Sequence, residues 1–145
     1  MKVEAPVPVW VPPLLRVLSE EQIESERILR LHIASPRGAP DIVLLGEGGQ
    51  NFSVIEVNGR ENKASLPSSR FRLKTIPEEG VELVLRTASP GPLTLKLIET
   101  SYALPSEPPF QLPPRPPNVM PEPNTLSHWR TLQGERCHVL KTYTF

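Results

Sequence analysis

The sequence predicts an all-β protein, an antiparallel β-sandwich of jelly-roll or immunoglobulin-like kind. Three features carry that expectation. Nineteen of the 145 residues are proline, which lacks a backbone donor and clashes with the preceding turn in a helix interior, so long helices find little room. Apolar residues recur with a period of two rather than 3.6, the pattern of strands with one buried face. Clusters of Pro, Gly and Asn separate these stretches, as turns separate the strands of a sandwich.

In chain order, Pro6, Pro8, Pro12 and Pro13 make residues 1–13 an extended, proline-rich edge segment that leads into a first strand around Leu14–Leu18. Ser19 is a helix-cap residue type, but no apolar helical face follows it, so Ser19–Arg27 is expected as a polar connection. Leu29, Leu31 and Ile33 alternate with Arg30, His32 and Ala34, a half-buried strand. Ser35–Pro40 is turn chemistry, Asp41–Leu45 a short apolar strand, Gly46–Gln50 a loop and Phe52–Val57 a further strand. Asn58-Gly59 follows directly; both residue types tolerate positive φ, which a type I′ hairpin turn requires twice.

Arg70–Ile76 alternates again, with Phe71 and Leu73 opposite Arg70, Arg72 and Lys74. After the turn Pro77–Gly80, Val81, Leu83 and Leu85 define one strand. After Ser89-Pro90-Gly91-Pro92, Leu93, Leu95 and Leu97 define another, with these three leucines facing inward. The short loop between the two predicts that they pair as an antiparallel hairpin. Residues 104–123 hold nine prolines and are expected as an extended, polyproline-like strap before the last strand. Thr125–Gln133 would hold a short turn around Trp129, and Cys137–Phe145 a closing strand. About seven to nine strands in one sandwich result, a single domain over 1–145.

Hydrophobic residues make up 38% of the chain, enough for one core that buries about two thirds of the unfolded surface. Lys+Arg and Asp+Glu number 16 each. A zero net charge predicts no clustered positive field, and therefore neither nucleic acid nor an anionic membrane surface as partner. No segment approaches the roughly 18 consecutive apolar residues of a spanning helix, so no direct membrane insertion is expected. The single Cys137 excludes an intrachain disulfide.

No motif for catalysis stands out. His32, His128, His138, Cys137 and Asp41 lack zinc-ligand spacing, and Cys137 and His138, adjacent on a strand, point to opposite faces. There is no Gly-x-Ser-x-Gly elbow. Gly46-Glu47-Gly48-Gly49 opens no helix that would receive a phosphate. Glu20-Glu21 and Glu78-Glu79 read as solvated surface. No enzyme activity, metal or cofactor is expected of this chain. The candidate partner-binding residues are Trp129 and Phe110, aromatic surfaces for a sugar or a peptide, and Arg115 within Leu112-Pro113-Pro114-Arg115-Pro116-Pro117, a match to proline-rich ligands. The plainer expectation is that the strap lies on its own domain and the tryptophans pack.

Several stretches share a recurring frame: Leu29-Arg30-Leu31-His32-Ile33-Ala34-Ser35-Pro36-Arg37-Gly38-Ala39-Pro40, Pro77–Leu85 with Pro92–Leu97 and Glu99–Pro105, Pro114–Pro121, and the closing Leu140–Phe145. Together they resemble the C-terminal β-rich domain of membrane-anchored zinc exopeptidases of the aminopeptidase-Y type, over most of residues 25–145. The resemblance implies a non-catalytic accessory domain that contributes protein contacts, stability or substrate access. Its partner would be a peptidase domain, in the same parent chain if this is a fragment, and its location extracytoplasmic. The family's zinc ligands lie in the preceding domain, so none is carried over. The alternative is an independent binding module for carbohydrate or peptide.

Overall fold

A computed structural model describes residues 11–88, 91–101, 116–118, 126–127, 130–131 and 137–145. The chain is all-β, without an α-helix among these residues. Its strands are β1 (Leu14–Ile23), β2 (Glu26–Ala34), β3 (Asp41–Gly46), β4 (Ser53–Val57), β5 (Arg60–Glu61), β6 (Arg70–Lys74), β7 (Val81–Thr87), β8 (Thr94–Ser101), β9 (Leu126–Ser127), β10 (Arg130–Thr131) and β11 (Cys137–Thr144), with one 3₁₀ turn at Glu47–Gly49. A five-stranded sheet runs β1-β2-β7-β4-β5 and a four-stranded sheet β11-β8-β3-β6. Every pairing is antiparallel. The two sheets pack face to face as a sandwich.

The alternation read from the sequence places the core. Leu29, Leu31 and Ile33 of β2 and Leu83 and Leu85 of β7 meet Ile42 and Leu44 of β3 and Leu95 and Leu97 of β8, all without solvent exposure. Each fully buried aliphatic side chain contributes about 1.5–3 kcal/mol, so these residues dominate the favourable side of folding. Phe52, Val54 and Leu73 extend the same cluster, and Tyr143 of the last strand and Phe145 just after it flank it.

Turn chemistry holds where it was sharpest. Asn58 and Gly59 both have positive φ (49° and 75°), and Val57 faces Arg60 across them, the two-residue I′ hairpin. Asn58 also continues the sheet: its N–H donates to Glu82 O and its Oδ1 accepts from Glu82 N, each at 2.8 Å. Gly80 closes the Pro77 turn, donating to Pro77 O at 3.0 Å. Its φ is 92°, and a Cβ there would lie 2.5 Å from Ile33 O, so both conformation and space demand glycine.

Two sequence expectations are corrected. The first is the polar connection: Ser19–Ile23 continues β1, a two-residue turn at Glu24-Ser25 follows, and β2 begins at Glu26. Polar composition signals a solvated side chain, not an unpaired backbone. Here the ladder to β2 and the Glu20–Arg27 pair (2.8 Å) hold the strand. The second is the hairpin of residues 81–87 and 94–101. β7 lies in the five-stranded sheet and β8 in the four-stranded one. Their inward leucines meet across the sandwich rather than side by side. Leu93, instead of turning back onto β7, exchanges both backbone hydrogen bonds with Phe145 (2.9 and 3.1 Å), which commits β8 to β11.

The proline-rich strap of 104–123, apart from 116–118, and residues 1–10 of the edge segment 1–13 lie outside the described residues. β9 and β10 pair through Arg130↔Ser127 and Thr131↔Leu126.

Candidate functional site

Strand alternation gives the four-stranded sheet a second, outward face, and the register specifies what it carries. Leu140, Ile98, Val43 and Arg72 form one row across β11, β8, β3 and β6. The neighbouring row is Thr142, Lys96, Leu45 and Arg70, and the next His138, Thr100, Asp41 and Lys74. An apolar centre of Val43, Leu45, Ile98 and Leu140 therefore sits among four Lys and Arg side chains. Leu140 is 52% exposed. A shallow depression of about 360 Å³ opens over Val43, Leu45 and Ile98, bounded by Arg70, Arg72 and His138.

The electrostatics of this face are one-sided. Arg72 pairs with Asp41 at 2.9 Å. Among the described residues, Arg70, Lys74 and Lys96 meet no carboxylate. Asp41, the only aspartate of the chain, is thus the sole anion in these three rows. His138 Nδ1 and Thr100 Oγ1 lie 3.0 Å apart, closing one end of the surface.

The outward face of the five-stranded sheet is different. Arg30 pairs with Glu82, and reaches Glu56 at 3.9 Å, while Arg86 pairs with Glu26 at 3.4 Å. Glu82, accepting a hydrogen bond and lying beside the guanidinium, raises the Arg30 pKa above its ordinary value. Arg30, Val84 and Glu56 share a row, so the ion pair bridges over Val84 and leaves it 6% exposed on an outward position. Arg30 and Arg86 there each meet a carboxylate; on the four-stranded face Arg70, Lys74 and Lys96 meet none among the described residues.

The expectation of no clustered positive field is thereby corrected. Net charge sums over the molecule, but alternation placed Arg70, Arg72 and Lys74 on one side of β6, and the β8-β3-β6 order brought Lys96 to them. The first step was legible in the sequence; the second required the sheet order. Trp129, Phe110 and Arg115, the candidates from the sequence, lie outside the described residues.

Two further features belong to the architecture. A depression of about 590 Å³ beside the β4–β5 hairpin is lined by Asn58 and Asn62, but the Asn58 amide oxygen is held by Glu82 N and the Asn62 amide donates to Val54 O at 2.8 Å. No group of three or more His, Cys, Asp or Glu side chains gathers among the described residues, and no helix there is long and apolar enough to cross a membrane. No family model, no curated protein and no solved structure matches the chain.

Proposed function

We propose that this chain is a non-catalytic accessory domain that docks an acidic, apolar-bearing surface of a partner protein onto the outward face of its four-stranded sheet. The observation that carries the reading is the apolar centre of Val43, Ile98 and Leu140 set among Arg70, Lys74 and Lys96, which meet no carboxylate among the described residues. Interface cores are apolar and rich in Arg relative to ordinary surface. Complementary charge around them steers encounter and fixes register. The resemblance to the C-terminal domain of zinc exopeptidases supplies the partner to try first, a peptidase domain, and with it an extracytoplasmic setting.

Calorimetric titration of the chain with the catalytic domain of an aminopeptidase-Y-type zinc exopeptidase tests this. Binding that weakens with salt, and by about tenfold or more in an Arg70→Glu/Lys96→Glu variant of unchanged melting temperature, is the expected result. No binding, or binding indifferent to the charge reversal, would overturn it. So would zinc-dependent peptide hydrolysis by the chain alone, or preferential capture of single-stranded oligonucleotide by the same face.

A further inference from the structure

β1 is the edge of the five-stranded sheet, and among the described residues it pairs only with β2. It is ten residues long. Proteins usually blunt such an edge with lysine, proline, a bulge or brevity, because its unpaired backbone groups invite another strand. The opposite edge follows that practice, since β5 has two residues. β1 contains neither lysine nor proline; its one interruption is the irregularity between Val17 and Ser19, and it exposes Leu14 and Ile23 by 50% each, with Leu18 between them also exposed.

The register fixes which groups are open. The two-residue turn closes on Ile23↔Glu26, so alternate residues direct their N–H and C=O towards β2 and away from it. Ile23, Glu21 and Ser19 bond inward to the sheet. Gln22 and Glu20, and beyond the irregularity between Val17 and Ser19 also Val17 and Leu15, turn theirs to the open side. On the outward face of the sheet the same strand shows Leu14, Arg16, Glu21 and Ile23, opposite Ala34, His32, Ile28 and Glu26.

This pattern is complementary to itself. Two copies of β1 placed antiparallel about the point between Leu18 and Ser19 set Leu15 opposite Gln22 and Val17 opposite Glu20, joining the open backbone groups. The same placement sets Arg16 opposite Glu21 and Leu14 opposite Ile23, each twice by symmetry. A shift by one alternation in either direction leaves Arg16 opposite Ser19 or Ile23 and loses both ion pairs. Within one chain Arg16 and Glu21 are too far apart along β1 to meet, and neither makes an ion pair among the described residues. We infer that a second copy of this chain is the occupant of the β1 edge, forming a two-fold symmetric dimer in which the two five-stranded sheets become one continuous sheet. The seam is separate from the cationic face of the other sheet, which stays open in the dimer.

Sedimentation velocity over a dilution series tests the seam. The wild-type chain is expected to show a reversible monomer–dimer equilibrium that weakens with salt. Arg16→Glu and Glu21→Arg should each weaken it by about tenfold or more, since each replaces two attractive cross-strand pairs by two repulsive ones. An equimolar mixture of the two single variants should regain association, because one pair then sets Glu at 16 against Arg at 21 and the other keeps Arg16 against Glu21, both attractive; the double variant, with Glu at 16 facing Arg at 21 in both pairs, should regain it alone. That recovery also shows that the single variants are folded. A wild-type chain monomeric at every concentration, a dimer indifferent to the single changes, or failure of the mixture and the double variant to associate would overturn the inference.

Discussion

Glu99 occupies an inward position of β8, in line with Leu95 and Leu97, and is fully buried. A buried carboxylate is costly unless it is paired and hydrogen-bonded. Ser35 Oγ donates to it at 2.6 Å and Arg37 Nη1 lies at 3.4 Å. Ser35 Oγ in turn accepts from Ala39 N at 2.9 Å, so the turn after β2 is tied to the opposite sheet. Arg37 is 13% exposed, which softens the loss when its partner is removed. Glu99→Ala is therefore expected to cost about 3 kcal/mol in urea unfolding, near the low end for breaking a buried pair. A midpoint within experimental error of wild type would show that the carboxylate ties nothing together. The alternation of Leu93, Leu95 and Leu97 continues to Glu99, and the structure adds that β8 keeps this side buried to its end at Ser101. The Arg30 interaction differs in kind. Its raised pKa means a stabilisation fully present below the unfolded-chain value and lost only as pH rises through the higher folded-state value. It therefore adds no pH dependence near neutrality.

At the scale of elements, local chemistry decided turns better than partners. Asn58-Gly59 specified its hairpin because only a few residue types tolerate two consecutive positive φ values. The closing strand β11 was legible from its alternating apolar positions, and the structure adds what holds it. Tyr143 Oη donates to Pro13 O at 2.7 Å, linking the last strand of one sheet to the entry of β1 in the other. Tyr143→Phe keeps the ring in the core margin and removes only this bond. It should lower stability by about 1 kcal/mol and speed amide exchange at the start of β1. Unchanged exchange at Leu14–Val17 would mean that the hydroxyl anchors nothing. Ser19–Ile23 shows the converse. Its composition reads as a loop because every side chain there meets solvent, yet its backbone is committed to β2 by its pairing with Glu26–Arg30 across the turn and by the Glu20–Arg27 ion pair.

For the molecule as a whole, most connections change sheets. Among the described residues, only β1–β2, β4–β5 and β9–β10 are pairs of consecutive strands; β2 to β3, β3 to β4, β5 to β6, β6 to β7 and β7 to β8 all pass from one sheet to the other. Such non-local pairing pays its loop-closure entropy before contacts form, and places folding in the millisecond-to-second range. Nineteen prolines add a second clock. With each X–Pro bond about 10–30% cis when unfolded, nearly every equilibrated unfolded molecule carries some non-native isomer. Refolding is expected to show a slow phase of tens to hundreds of seconds that prolyl isomerase accelerates and that a brief unfolding pulse suppresses. Full recovery in the fast phase after long unfolding would contradict this. The same scale governs charge. A chain of zero net charge becomes a sandwich in which Arg30 and Arg86 on one outward face are ion-paired, while Arg70, Lys74 and Lys96 on the other meet no carboxylate among the described residues.

The class of the fold, the buried positions of β2, β6, β7 and β8 and the sharpest turns were legible in the sequence, because alternation, proline's missing donor and positive φ act within a few residues. Tertiary structure alone decided which strands are neighbours, and with that the gathering of Val43, Ile98, Leu140, Arg70 and Lys96 on one surface. It also decided which strand is left at an edge. A strand's side-chain period is the same whether its successor lies beside it or across the core, so the choice between hairpin and crossover rests on the packing of the whole.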